Sequence, residues 1–171
     1  MMDSTAATSP ETFEPDAATY NAFIAGLELV DIELVKVGGE RVATGVATQT
    51  RFDLAASYLQ DEATIRYRYD ATARLMNEAD TDLGHAAVSV MVTTRIAAAA
   101  EAICVERFGG TSGALMAHPY LREAIASTAQ RLGFPGVLLP MIKYQPDAPT
   151  SPAVEIPDAA DDTQVDASSE E

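Results

Sequence analysis

From residue 64 to residue 76 the chain alternates without a break. Ile65, Tyr67, Tyr69, Ala71, Ala73 and Leu75 share one parity; Thr64, Arg66, Arg68, Asp70, Thr72 and Arg74 share the other. A period of two over this length predicts a β-strand, apolar on one face and charged on the other, whereas a helix would scatter the arginines. Residues 86–96 repeat the pattern: Val88, Val90, Val92 and Ile96 oppose Ser89, Thr93 and Arg95, with Met91 on the polar parity. The acidic, glycine-containing run 77–85 between them predicts a hairpin loop. Upstream, Val30, Ile32 and Leu34 alternate with Asp31 and Glu33, and then Val35 and Val37 fall in the opposite phase. A bulge near Leu34 reconciles the two phases. Gly38-Gly39 predicts a turn, and residues 42–56 predict a weaker strand interrupted by Gly45.

After residue 96 the period changes. Residues 97–108 have helix-forming composition, and the glycines of 108–113 predict a break. From Ser112 the chain is helical again: Leu121, Ala124, Ile125, Thr128, Ala129 and Leu132 recur at i, i+3, i+4, i+7, i+8 and i+11. Pro119 either opens this helix or kinks it, and Gly133 followed by Pro135 ends it. The apolar, proline-flanked run 134–144 predicts an extended segment lying across the sheet or along a groove. The fold class is α+β: a four-stranded antiparallel β-meander followed by one long α-helix. The stripe of small residues on that helix, above a sheet with apolar surface to spare, predicts an oligomer with helices at the seam.

Charge divides the 171 residues. The chain has 26 acids and 11 bases, a formal net charge of −15. Residues 1–18 and 145–171 hold 12 of the acids and none of the bases. We therefore expect two disordered acidic tails, 1–18 and 145–171, around one domain, 19–144, whose own balance is nearly neutral. So acidic a chain has no basic footprint for nucleic acid and no attraction to anionic membrane surfaces. No apolar run reaches the length of a membrane span, and residues 1–20 lack the basic and apolar regions of a secretory signal. The expectation is a cytoplasmic protein.

Little in the sequence points to catalysis. The single cysteine, Cys104, lies among Ala, Ile and Val and reads as a buried thiol. His118, ahead of a Pro-Tyr pair, has no carboxylate at helical spacing to orient it. Gly109–Gly113 lacks the Gly-Lys-Ser/Thr ending of a phosphate loop. The arginines of 64–76 are expected to pair across strands, with Asp31 and Glu33 within their reach. No metal or cofactor is implied.

One stretch carries a family likeness. HPYLREAIASTAQRLGFPGVLLPMIKY (118–144) resembles the end of SecB, the bacterial protein-export chaperone, in Pro119, Tyr120, Arg122, Glu123, Pro135, Leu139 and Pro140. Four strands ahead of this helix also fit, so the resemblance covers roughly residues 25–144. It implies a SecB-like homotetramer, a dimer of dimers with the long helices packed between, that binds unfolded polypeptide without ATP. On that reading a client groove is lined by Val42, Val46, Met91, Leu115, Met116, Leu138, Leu139 and Met141. The oligomer seam is formed by Leu121, Ala124, Ile125 and Thr128. Asp31 and Glu33 contact the export motor SecA.

The chain departs from the family in three places, one of them a C-terminal tail that bears no likeness to it. It passes from Tyr144 into QPDAPTSP, so the family's second C-terminal helix is short or absent. Val35 stands where the second acid of the SecA-contacting pattern is expected. The resemblance thus implies an ATP-independent holdase for export precursors, or a dedicated chaperone for an antitoxin of a toxin–antitoxin system. A small-molecule-binding or enzymatic domain using His118, Arg122 and Glu123 is the alternative from another class; a passive assembly adaptor is a third.

Overall fold

The computed structural model describes residues 15–141. Both acidic tails, apart from residues 15–18, lie outside that range. A short helix α1 (Ala17–Ala25) leads into strands β1 (Leu27–Arg41), β2 (Gln49–Gln60), β3 (Thr64–Met76) and β4 (Asp82–Ile96). Helices α2 (Ala102–Phe108) and α3 (Ala114–Arg131) follow, joined by a π-helical turn at Gly109–Gly113.

The alternation that predicts β3 is realised residue for residue. Its apolar parity is buried and its partner β4 buries Ala86, Val88, Val90 and Val92 on the same side. These side chains, with Val105, Phe108, Ala117, Leu121, Ile125 and Ala129 from the helices, make one core on a single side of the sheet. Thr94 keeps its place on this apolar face because its hydroxyl donates to the Ile65 carbonyl, 3.2 Å away. The opposite face of the sheet carries Arg66, Arg68, Arg74, Arg95, Asp31 and Glu33.

All four strands are antiparallel, but their order is β1-β4-β3-β2, not the sequential order of a meander. Only β2, β3 and β4 follow one another. The reason lies in burial: β3 and β4 are the strands with a fully apolar face and take the centre, which leaves β1 and β2 as the two edges. The link 42–48 crosses the end of the β3–β4 hairpin to join them, its Val42 and Ala43 amides both donating to the Leu83 carbonyl. Those seven residues were expected to be strand, and β2 starts only at Gln49.

Other expectations are corrected. Gly38-Gly39 is no turn: β1 runs through the pair to Arg41. A Cβ on Gly39 would sit 2.6 Å from the His85 carbonyl oxygen and 2.9 Å from Leu132, so glycine here permits close packing. The register of β1 against β4 shifts twice, at Val30 and at Val35, the second next to the expected bulge at Leu34. Residues 97–101 stay outside any helix. The glycines of 109–113 do not break the helix; they form the π-turn that carries α2 into α3. Tyr69 donates to the Gly109 carbonyl at 2.8 Å, and Gly109 and Gly113 lie against the rings of Tyr67 and Phe108, where a side chain has no room. Pro119 is inside α3. Gly133, at φ 83°, ends it as expected.

Helix α1 begins inside the stretch assigned to the N-terminal tail. Asp16 caps it, accepting from the Ala18 and Thr19 amides at 2.9 and 3.1 Å. It is anchored by aromatics: Phe23 meets Phe108 edge-on at 6.2 Å, and the Arg107 guanidinium lies 4.7 Å from the Tyr20 ring.

Candidate functional site: the flanks of the long helix

Helix α3 lies over the sheet with a different neighbour on each side. On one side is the edge strand β1. Leu34 and Val37 from the strand and Tyr120, Ala124 and Thr128 from the helix line a groove of about 290 Å³, with Glu123, Ser127 and Arg131 at its rim. Leu34, Val37 and Tyr120 are each nearly half exposed.

On the other side the chain turns back along α3. Arg41 fixes the start of this return: its Nη1 donates to the Leu132 carbonyl at 3.0 Å and its guanidinium lies 4.6 Å from the Phe134 ring. His118 fixes the end, its Nε2 2.9 Å from the Pro140 carbonyl oxygen. Between these clamps Phe134, Val137 and Leu139 point into the core, while Leu138 and Met141 face outward, 53% and 68% exposed. After a turn at Pro135-Gly136 the segment runs beside the helix without regular structure as far as Met141; the rest of the expected segment, 142–144, lies outside the described residues. Leu138 lines a second groove with Pro119, Arg122, Ala126 and Gln130.

The residues expected in the client groove separate into groups. Val42 and Val46 stand out from the link between β1 and β2, the latter 78% exposed. Leu115 and Met116 are on the surface of the first turns of α3, and Leu138 and Met141 belong to the returning segment. Leu139 does not join them, because it is buried in the core. Met91 cannot join them: it pairs with Glu33 and Arg68 on the opposite face of the sheet, one residue out of phase with buried Val90 and Val92.

The expected seam needs a similar correction. Leu121 and Ile125 are fully buried against the protomer's own sheet, and Thr128 nearly so. The i, i+3, i+4, i+7 stripe is the face turned to the core, which the smallest bury-one-side argument already demands. Ala124 and Thr128 still reach the β1 groove, but the exposed apolar side chains around them are Leu34, Val37 and Tyr120. The second phase of apolar residues on β1 was the available signal for one of these, Val37.

Asp31 and Glu33 sit on β1 with β4 between them and the arginines of β3. Two of those three arginines are paired nearer home: Arg68 with Asp70 at 3.1 Å and Arg74 with Asp53 at 3.9 Å. Asp31 accepts instead from the Ile32 amide.

Burial disfavours the charged form of three groups in the core. Burial pushes the Cys104 thiol up, with Glu101 adding to the shift. Burial likewise pushes Tyr67 and Tyr69 above the ordinary tyrosine range. Among the described residues no three His, Cys, Asp or Glu side chains group as a metal site, and no helix is long and apolar enough to cross a membrane.

A four-stranded antiparallel sheet in this order, covered on one face by a long C-terminal helix, is a SecB-like α+β fold. The structure is similar to that of Rv1957, a SecB-like chaperone of Mycobacterium tuberculosis, solved in complex with a ChAD peptide from the HigA1 antitoxin, Rv1956. The two share 18% sequence identity at a TM-score of 0.63, over 74% of this chain and 98% of that one. No protein-family model and no curated protein sequence matches the chain.

Proposed function

We propose that this protein is an ATP-independent chaperone that holds non-native polypeptide on the exposed apolar side chains flanking α3. The observation that supports this most is the outward display of Leu115, Met116, Leu138 and Met141 along α3 and its returning segment, with Val42 and Val46 exposed separately on the β1–β2 link, on a SecB-like fold. Two of the six are methionines, whose flexible thioethers adapt to varied partners. The test is dilution of a chemically unfolded, aggregation-prone protein into buffer without nucleotide, followed by light scattering. Suppression near one oligomer per unfolded chain supports the reading. Unchanged scattering at several-fold excess contradicts it, and turnover of any substrate at substoichiometric protein would favour the enzyme alternative.

A narrower form of the reading is a chaperone dedicated to one antitoxin, and the antitoxin peptide carried by the neighbouring structure supports it. A dedicated chaperone binds one partner segment at least tenfold more tightly than unrelated unfolded chains. A general one, serving export precursors, binds them alike. For delivery to SecA we propose Asp31 and Glu33 as the contact. Asp31→Asn with Glu33→Gln is then expected to weaken SecA binding while leaving holdase activity intact.

We further propose a cytoplasmic homo-oligomer, a tetramer on the family pattern. Its contact is the groove between β1 and α3, with Leu34, Val37, Tyr120 and Ala124 as the buried residues.

A further inference from the structure

The outer edge of β2 has a regular backbone left open. Its pairing with β3 runs from Gln49 to Gln60 without a register shift, and no strand pairs with its other side among the described residues. The Asp61 amide donates to the Thr64 carbonyl at 2.9 Å, closing the hairpin. In an antiparallel ladder hydrogen-bonded pairs alternate with non-bonded ones. Counting back from Asp61, residues 59, 57, 55 and 53 bond to β3. Leu54, Ala56, Tyr58 and Gln60 therefore turn their N–H and C=O groups outward.

The side chains at this edge suit one kind of strand. Leu54 through Gln60 are uncharged and contain no proline or glycine. Natural sheets guard an edge with charge, proline or bulges, and this stretch has none of them. The same four outward residues place their side chains on the core side of the sheet, opposite Ala71, Tyr69, Tyr67 and Ile65. Leu54 and Ala56 are exposed there, so a strand added to the edge finds an apolar step beside it.

We propose that β2 receives a non-native polypeptide as an added β-strand: an extended, uncharged segment of about five to seven residues, held by main-chain hydrogen bonds to Leu54, Ala56, Tyr58 and Gln60. This rests on the chaperone reading above and assigns it a backbone mode of recognition. Main-chain bonding is indifferent to client sequence, which is what a holder of varied non-native chains requires.

The test uses reduced, carboxymethylated α-lactalbumin, a chain held permanently unfolded, as the probe. Amide exchange is followed in the full-length protein with and without it. The expected result is at least tenfold slower exchange at residues 54, 56, 58 and 60 in the complex. Ala56→Pro removes one outward N–H without touching the ladder and is expected to weaken probe binding about tenfold, the worth of a hydrogen bond and its geometry. Probe binding without protection at these amides, or at full affinity in Ala56→Pro, overturns the edge and leaves the chaperone reading standing. Slow exchange there in the protein alone also overturns it, since the edge would already be covered. Absence of any probe binding overturns both.

Discussion

The sheet has two edges and they are built differently. Strand β1 is bulged at Val30 and Val35 and carries Glu28, Asp31, Glu33, Lys36 and Glu40 along its length. Strand β2 runs without a shift and is neutral over its last seven residues. Each bulge leaves a residue unpaired and increases the local twist, so β1 offers a poor template for a long run of backbone bonds. What it offers instead is side chains: Leu34 and Val37, continuous with Tyr120 and Ala124 of α3. The two edges therefore differ in what they expose, apolar side chains at β1 and main-chain groups at β2, and the two proposals above assign a different occupant to each.

Breaking the ladder on one side of β2 and not the other gives the widest expected separation between neighbouring positions. Ala55→Pro removes a bond to β3, leaves its acceptor unpaired, and is expected to cost about 1–3 kcal/mol in denaturant unfolding. Ala56→Pro, whose N–H faces outward, is expected to cost under about 1 kcal/mol. Equal losses would show that the outward parity of the edge is wrong.

The β1 side separates core from surface on a single helix. Leu121→Ala is expected to cost about 2–5 kcal/mol and to leave particle mass unchanged at concentrations where the protein stays folded. Its neighbour Tyr120→Arg is expected to change stability by less than about 1 kcal/mol while lowering the particle mass in multi-angle light scattering. Ala124→Arg should do the same. An unchanged mass in both would remove the β1 groove from the assembly.

The smallest effect concerns the hairpin that ends β2. The Thr64 hydroxyl, then the Ala63 and Thr64 amides, hold the Asp61 carboxyl below the usual carboxylate range. A depressed folded-state value means the contribution is present above the unfolded-state value near 4 and is lost as pH falls through the folded one. Amide exchange at residues 59–64 is therefore expected to quicken, relative to the intrinsic rate, on acidification below about pH 4, and Asp61→Ala is expected to abolish that dependence.

Much of this was legible in the sequence and some was not, for reasons that particular residues make plain. Strand β3 could be read to the residue because its two faces see opposite solvents over its whole length. The bulge near Leu34 could be read because a phase change has no other cheap explanation. The order of the strands could not, since every strand has the same period whichever neighbour it takes; what ranked them was total burial, a property of the finished sheet. The glycines misled twice, at 38–39 and at 109–113. In both places glycine serves close packing, against His85 and Leu132 in one and against Tyr67 and Phe108 in the other, and sequence alone does not separate that use from a turn. The helical stripe Leu121, Ala124, Ile125, Thr128 could be read as apolar. Whether it faced its own sheet or another chain depended on the size of that sheet's apolar face.

The two edges are proposed to take separate occupants, and native mass spectrometry of the protein mixed with unfolded α-lactalbumin tests this most directly. The expected spectrum shows the intact oligomer and the same oligomer carrying the unfolded chain, with no smaller species as the client is added. A client that binds by splitting the oligomer would mean that both occupants use one surface, and would contradict the account.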